Sequence, residues 1–176
     1  MFIDAHCHLQ DPRFDDLDEV VARSRQRQVS GWMLGGADPL DWDRARHLAL
    51  RIGGIRWSAG LHPVAVARRS QTEVQQALDA LPGAFAGEAP ASAVGEIGLD
   101  RVFAPRETLA RQRAAFEWQL DWAARHEWPV VLHLVGATGA ALEVLERRGP
   151  LRGVVHAFSA SAEVARRYLE LGLHLS

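Results

Sequence analysis

Short apolar segments alternate with amphipathic segments along this chain of 176 residues, and the alternation constrains the fold more than any other feature. The apolar segments span residues 1–9, 29–36, 55–61, 93–100, 129–135 and 151–158, and a further one begins at 173. Between them, apolar residues at helical spacing predict helices over 15–28, 39–52, 70–81, 105–127, 137–148 and 161–171. Strands that are apolar throughout are typical of a parallel sheet buried on both faces.

Two architectures satisfy this alternation: an open doubly wound sheet and a (β/α)8 barrel of the TIM type. No apolar segment is followed by Gly-x-Gly-x-x-Gly, the phosphate-binding turn of nucleotide-binding sheets. Instead, polar residues suited to catalysis stand at the ends of nearly all the apolar segments, as they do at the C-terminal face of a barrel. We therefore predict a single α/β domain over residues 1–176, with about six to seven of the eight strand–helix units of a TIM barrel.

The composition narrows the class of protein. The chain is 48% hydrophobic and 24% charged, which is typical of a globular protein. Its one cysteine, Cys7, excludes an intrachain disulfide, and no apolar stretch approaches the ~18 residues of a membrane span. We predict a cytoplasmic protein without a membrane partner. Because the net charge is −2, a nucleic-acid substrate would have to be bound by a local basic patch or by metal ions.

The first apolar segment carries two histidines, His6 and His8, separated by one residue. Alternate side chains of a strand share a face, so Asp4 lies on the side of both histidines and Cys7 on the other side. Two imidazoles that converge at the end of a strand are a natural start of a metal site. Asp4 would either orient an imidazole or accept hydrogen bonds from backbone amides. We interpret residues 2–3 as buried within the strand.

Further candidate ligands stand in or directly after four other apolar segments. They are His62, Glu96, His133 and His156. The carboxyl ends of parallel strands meet at one edge of a sheet, so we expect these side chains to converge with the opening pair. Each of these histidines alone is more typical of a hydrogen-bonded core residue than of a metal ligand. Together they favour a metal site, since imidazoles and a carboxylate suit ions such as Zn²⁺ and Mn²⁺.

The same segments resemble the signature motifs of a known family. The motifs are FIDAHCHL at 2–9, AGLHP at 59–63, VGEIGLD at 94–100, PVVLH at 129–133 and VHAFS at 155–159. In this order and at this spacing they resemble those of the TatD-type metal-dependent deoxyribonucleases, which belong to the amidohydrolase-like metal-dependent hydrolases. The resemblance covers the chain from Phe2 onward. It implies a (β/α)8 barrel with two divalent metal ions, Mg²⁺, Mn²⁺ or Zn²⁺.

The resemblance also implies roles for the candidate residues. It assigns three ligands to each ion: His6, His8 and Glu96 to one, and Glu96, His133 and His156 to the other. Glu96 and His62 would be the catalytic residues, with His62 lining the pocket beside the scissile phosphate. The implied reaction is hydrolysis of DNA phosphodiester bonds by metal-activated water, of the 3'-5' exonuclease type, on a single strand or a DNA end.

Three features depart from the family's pattern. The family's eighth strand carries a Thr-Asp-x-Pro-like segment, whose aspartate would bind metal and act as the general base, and these residues contain no counterpart. Val135 stands where the family usually has an arginine, so one phosphate contact is absent. Ala160 replaces a glycine, a mild change unless that position requires a positive φ.

Other functions and assemblies remain open from the sequence. The same ligands would serve a metal-dependent amide or ester hydrolase such as a deacylase, because a fold does not determine its chemistry. Without the eighth-strand aspartate, the chain would alternatively be a catalytically impaired metal-binding paralogue. A barrel of six or seven units leaves two open edges, so we expect either a longer protein or a second chain that completes the barrel.

Overall fold

The computed structural model describes all residues from Met1 to Ser176. The strands are β1 (Phe2–Cys7), β2 (Val29–Gly36), β3 (Ile55–Ala59), β4 (Ala93–Asp100), β5 (Val130–Val135), β6 (Gly153–Val155) and β7 (Leu173–Leu175). The α-helices are α1 (Leu17–Gln26), α2 (Pro39–Arg51), α3 (Pro63–Ala67), α4 (Gln71–Ala84), α5 (Leu109–Arg125), α6 (Thr138–Arg148) and α7 (Ala162–Glu170). A short 3-10 helix, Arg106–Thr108, precedes α5. None of the helices has the length and apolar character that crossing a membrane requires.

All the strands form one parallel sheet in the order β1-β2-β3-β4-β5-β6-β7. Each strand therefore pairs only with its neighbours in the sequence. A doubly wound sheet reverses its strand order at a switch point, and this sheet does not. Sequential order is that of a barrel. The sheet is therefore an open, curled part of a barrel, with seven of the eight strands of the TIM fold. The predicted fold class is confirmed.

The strand bounds follow the apolar segments closely, with one exception. β2 and β4 have the predicted bounds. β6 is limited to Gly153–Val155 rather than the predicted 151–158. The backbone leaves the sheet after Val155, and Ala157 adopts a left-handed conformation with φ of 48°. His156 therefore stands just beyond the end of its strand, where the chain turns.

The prediction that the start of β1 is buried is wrong. Phe2 and Ile3 are 64% and 73% exposed. β1 is an edge strand that pairs only with β2, so no neighbouring strand covers these side chains. β7 forms the opposite edge of the sheet. A second chain that completes the barrel along these edges stays a prediction.

The helices differ from the predicted pattern around α3 and α4. The spacing of apolar residues does not predict α3, which begins directly after His62. Local signals explain it: His62 caps the helix, and Pro63 occupies its first turn, where no N–H donor is required. α4 begins as predicted with a capping box between Ser70 and Glu73. It continues through Pro82, beyond the predicted end at residue 81.

The main hydrophobic core contains 32 buried residues and packs the sheet against its helices. Trp57 on β3 is fully buried, and its indole N–H donates to the carbonyl of Ala89 at 2.9 Å. Trp42 and Trp122, which lie on α2 and α5, are also buried. Burying a side chain such as Leu34 stabilises the fold by roughly 1.5–3 kcal/mol. This packing holds the carboxyl ends of the strands in fixed positions along one edge.

Candidate metal centre

Glu96 lies at the centre of a cluster of histidines at the carboxyl ends of the strands. It belongs to β4, and its side chain is only 5% exposed. Its Oε2 atom is 3.5 Å from Nε2 of His6 and 3.6 Å from Nε2 of His8. Its Oε1 atom is 3.3 Å from Nδ1 of His133 and 4.0 Å from Nε2 of His62. The two carboxylate oxygens thus face different histidines, which is what a carboxylate that bridges two ions requires.

Three of these atoms have the spacing of metal ligands. The Nε2 atoms of His6 and His8 are 3.3 Å apart. With Oε2 of Glu96 they form a triangle whose sides measure 3.3, 3.5 and 3.6 Å. Tetrahedral ligands bound at about 2.0–2.1 Å from a zinc ion are themselves about 3.3 Å apart. The three side chains therefore fit around a single ion with little rearrangement.

His156 joins this cluster from the turn after β6. Its ring centroid is 4.0 Å from that of His6, and candidate ligand atoms of His6, Glu96 and His156 lie within 4.8 Å of one another. His62, Glu96 and His133 form a second group with the same spacing. Every site residue predicted from the sequence thus lies around one carboxylate. The structure groups His156 with His6, whereas the resemblance pairs it with His133.

Gly35 on β2 leaves the space that the first two histidines occupy. A Cβ atom at this position would overlap the imidazole of His6 and lie 2.9 Å from Cε1 of His8. Gln10 lies beside His8, with its amide nitrogen 3.5 Å from Nδ1 of that ring, and donates to the carbonyl of Gly35 at 2.6 Å. Nδ1 of His6 is buried without a hydrogen-bond partner, and such an atom calls for a ligand, an ion or water. The donor set and its packing therefore fit a metal ion.

Asp100 is the residue of this site that the sequence does not single out. Its side chain is fully buried, and its Oδ2 atom is 2.9 Å from Nε2 of His133. Its Oδ1 atom accepts the backbone N–H groups of Val102 and Phe103 at 2.7 and 2.6 Å. Asp100 follows Glu96 by four residues on a strand, so both carboxylates point to the same side. That spacing is the signal by which Asp100 could have been predicted.

Burial opposes the hydrogen bonds and nearby charges that set the pKa values of Glu96 and His133. Burial raises the pKa of Glu96, but hydrogen bonds from His133 and His6 and the charges of nearby histidines outweigh it, so the pKa is well below its usual value. Glu96 is therefore ionised at neutral pH. Burial lowers the pKa of His133, and its hydrogen bonds to Glu96 and Asp100 reverse this, so the net shift is upward. His133 is thus held between two carboxylates.

The pKa values of His62 and His156 are lowered, unlike that of His133. Burial, followed by the nearby charge of His133, lowers the pKa of His62 to about 4, so its ring is neutral at pH 7. Nδ1 of His62 accepts the N–H of Val64 at 3.1 Å, which places the ring proton on Nε2. Burial also lowers the pKa of His156, with a further contribution from His6. A neutral imidazole is the form that binds metal.

The remaining residues discussed from the sequence lie outside the cluster. Asp4 accepts the backbone N–H of His6 at 3.2 Å, so it is satisfied by the backbone rather than by an imidazole. Cys7 is half-buried against the main core, its Sγ donates to the carbonyl of Met33, and burial raises the pKa of its thiol to about 12. Ala160 does not have a positive φ, so its replacement of a glycine introduces no backbone strain.

Parallel strands in barrel order, with histidines and a carboxylate at their ends, define a barrel of the metal-dependent hydrolase class. Comparison with known families places the chain within this class more narrowly. The family described as TatD related DNase matches residues 3–176. The chain belongs to this family.

The relatives that the chain matches are longer than the chain. YjjV of Escherichia coli K12, described as an uncharacterized metal-dependent hydrolase, is 34% identical over 97% of this chain and 65% of its own length. The crystal structure of YjjV matches with a TM-score of 0.83 and 32% identity, over 99% of this chain and 66% of that one. The Cronobacter sakazakii protein named 3'-5' ssDNA/RNA exonuclease TatD is 34% identical over 98% of this chain and 64% of its own length. The chain thus spans about two thirds of their length.

Proposed function

We propose that this chain carries most of the active site of a divalent-metal-dependent phosphodiesterase that hydrolyses DNA from an end, as a 3'-5' exonuclease. The observation that carries the proposal is the buried carboxylate of Glu96, which has histidine nitrogens 3.3–4.0 Å from its two oxygens. A related protein is named for exonuclease activity on single-stranded DNA and RNA. Because the chain spans about two thirds of its relatives, the activity, substrate and partners of the whole protein all belong to this proposal.

Two ions would be held on the two sides of Glu96. His6, His8 and Glu96 would hold the first, which is supported by the triangle of 3.3, 3.5 and 3.6 Å between their ligand atoms. Glu96 and His133 would hold the second, supported by the 3.3 Å separation between His133 and Oε1 of Glu96. His156, which the structure groups with His6, would join this ion by turning toward His133. Mg²⁺, Mn²⁺ and Zn²⁺ all accept such ligands. When bound, the ions supply a hydroxide-like water near neutral pH and stabilise negative charge on the phosphoryl group.

His62 is suited to donate a hydrogen bond to the substrate. Because its Nδ1 atom accepts the N–H of Val64, its Nε2 atom carries the proton and faces the cleft, 4.0 Å from Oε1 of Glu96. A protonated Nε2 cannot bind a metal ion, but it can donate to a phosphate oxygen. The low pKa of about 4 keeps the ring neutral, so the donor does not compete with the ions by charge. This is the role expected of a catalytic residue beside a scissile phosphate.

A direct test uses the purified protein with Mg²⁺ or Mn²⁺ and a single-stranded DNA oligonucleotide labelled at its 5' end. We expect stepwise shortening that stops when a chelator is added and when Glu96→Gln is introduced. Glu88→Gln is a matched control, because Glu88 is an exposed residue of the loop before β4. A 3'-blocked oligonucleotide tests the polarity and should resist degradation.

The same assay, extended to other substrates, separates the alternative functions. Hydrolysis of an aryl ester or an acylated amine, with no action on DNA, would favour a metal-dependent amide or ester hydrolase. Metal binding without turnover of any of these substrates would favour a catalytically impaired metal-binding paralogue. Failure of the protein to bind Mg²⁺, Mn²⁺ or Zn²⁺ would refute the metal centre itself.

A further inference from the structure

The cleft beside Glu96 extends beyond the residues proposed to bind metal. It has a volume of about 750 Å³, is open to solvent, and includes Phe103 and Arg68 in its walls together with His62 and His133. Neither Phe103 nor Arg68 has a part in the proposed metal ligation or in donation to the scissile phosphate. Their side chains are suited to a ligand that extends past the reacting bond.

Phe103 presents a large apolar surface within this cleft. The residue is 73% exposed and therefore contributes little to the hydrophobic core. Its neighbour Val102 is also exposed, at 63%, but does not line the cleft. An exposed phenyl ring in a polar cleft is suited to stacking, and every nucleic-acid base offers a planar face for it.

The position of Phe103 is coupled to the metal cluster through Asp100. Oδ1 of Asp100 accepts the backbone N–H of Phe103 at 2.6 Å, and Oδ2 of the same side chain contacts Nε2 of His133 at 2.9 Å. Gln112 in turn holds the backbone of Asp100, with bonds of 2.8 and 3.0 Å to its N–H and carbonyl. One buried side chain therefore contacts both the backbone of Phe103 and a candidate metal ligand. A base bound at Phe103 would lie in the same cleft as the scissile phosphate.

Arg68 provides an exposed positive charge in the wall of the same cleft. The second arginine of the cleft, Arg69, is paired with Asp38 at 2.6 Å. The carboxylate of Glu73 is engaged by the N–H and hydroxyl of Ser70 at 2.8 and 2.7 Å. Arg68 forms no ion pair. Its guanidinium is thus available to a phosphate group of the substrate.

We propose that Phe103 and Arg68 form a nucleotide subsite for single-stranded nucleic acid, which rests on the proposed phosphodiesterase function. Phe103 stacks on the base beside the scissile phosphate, and Arg68 binds a neighbouring backbone phosphate. A base inside a duplex is stacked on both faces, so this subsite selects unpaired ends. The subsite is independent of base identity because stacking requires only a planar ring.

The stacking contact is tested by binding of fluorescein-labelled oligothymidylate, compared with an oligonucleotide of the same length made of abasic residues. Ca²⁺ serves as the metal, and anisotropy gives the dissociation constant. We expect Phe103→Ala to weaken binding of oligothymidylate by roughly 5-fold to 100-fold and to leave the abasic chain unchanged. Phe103→Trp should retain the affinity, and Val102→Ala is the matched control. An equal loss for both oligonucleotides, or no loss for either, would overturn the stacking role.

The phosphate contact is tested through the dependence of binding on salt. Arg68→Gln should lower the slope of log affinity against log salt by about 0.7, the value for one phosphate of a single strand. The effect should be the same for oligothymidylate and for the abasic chain. Arg166→Gln, which removes an exposed arginine of α7, should leave the slope unchanged. An unchanged slope in Arg68→Gln would refute the phosphate contact.

Cleavage and binding together separate the two proposals. Base-dependent binding lost in Phe103→Ala, without any hydrolysis by the wild-type protein, would support the subsite and refute the phosphodiesterase activity. Hydrolysis of oligothymidylate that Phe103→Ala and Arg68→Gln leave unchanged would support the activity and refute the subsite. Absence of binding by the wild-type protein would also refute the subsite.

Discussion

Replacing Asp100 with asparagine should weaken metal binding by His133, because it changes which nitrogen of that imidazole carries the ring proton. An ionised Asp100 can only accept, so the 2.9 Å contact with His133 requires the proton of that imidazole on Nε2. Nδ1 of His133 lies 3.3 Å from Oε1 of Glu96, and on metal binding it would give up its hydrogen bond to that carboxylate and direct its lone pair at the ion. The amide group of an asparagine would donate to Nε2 instead, which moves the ring proton to Nδ1. A protonated Nδ1 cannot bind the metal.

The expected magnitude follows from these contacts. Loss of a partner that orients a metal-bound histidine typically reduces metal affinity by about 10-fold to 100-fold, or about 1.4–2.8 kcal/mol. The fold should lose less, on the order of 1 kcal/mol, because a hydrogen bond to a charged group is exchanged for a neutral one. The asparagine Oδ1 can still accept the N–H groups of Val102 and Phe103, so the loop keeps its position.

Isothermal titration with Mn²⁺ at neutral pH measures the affinity, and thermal melting without metal measures the fold. NMR of the imidazole nitrogens should show the ring proton of His133 on Nε2 in the wild type and on Nδ1 in Asp100→Asn. Asp43→Asn, at an exposed position of α2, is the matched control. If Asp100→Asn binds Mn²⁺ as the wild type does while its tautomer has changed, the assignment of Nδ1 as a ligand is refuted.

Three further predictions concern the space beside Gly35, the stabilisation of the fold by bound metal, and the cap of α4. Gly35→Ala should abolish high-affinity Mn²⁺ binding and reduce the free energy of unfolding by about 1–3 kcal/mol, because its Cβ would overlap His6. Gly139→Ala is the control, since nothing lies within 4 Å of its Cβ, and it should change neither quantity. Calorimetric titration showing normal binding by Gly35→Ala would contradict this. Metal at about 100 times its dissociation constant should stabilise the fold by about 2.7 kcal/mol, or roughly 5–10 °C in melting temperature, and an unchanged melting curve would argue against a folded-state site. Ser70→Ala should lower the melting temperature by about 2–4 °C through loss of the cap on α4, with metal affinity unaltered; reduced affinity would show that the cap also supports the site.

Much of the architecture is predictable because its signals are local. The uninterrupted apolar character of β2 and β4, and the capping box of Ser70 and Glu73, specify those elements without reference to the rest of the chain. The shortness of β6 and the exposure of Phe2 are not predictable in this way. Both depend on which strands are neighbours in the sheet, and neighbours are a property of the assembled fold.

The candidate site likewise has some features that the sequence predicts and others that depend on the assembled fold. The sequence alone determined which side chains would meet, since His6, Glu96 and His133 all lie near carboxyl ends of parallel strands, and such ends share one edge. Only the tertiary structure decided how they meet: which oxygen of Glu96 faces which imidazole, that Asp100 contacts His133, and that His62 is turned by its cap on α3. Strand periodicity specifies the side of a sheet but not separations of a few tenths of an ångström between residues distant in sequence. Those separations are set by packing, and they decide which atoms can bind a metal ion.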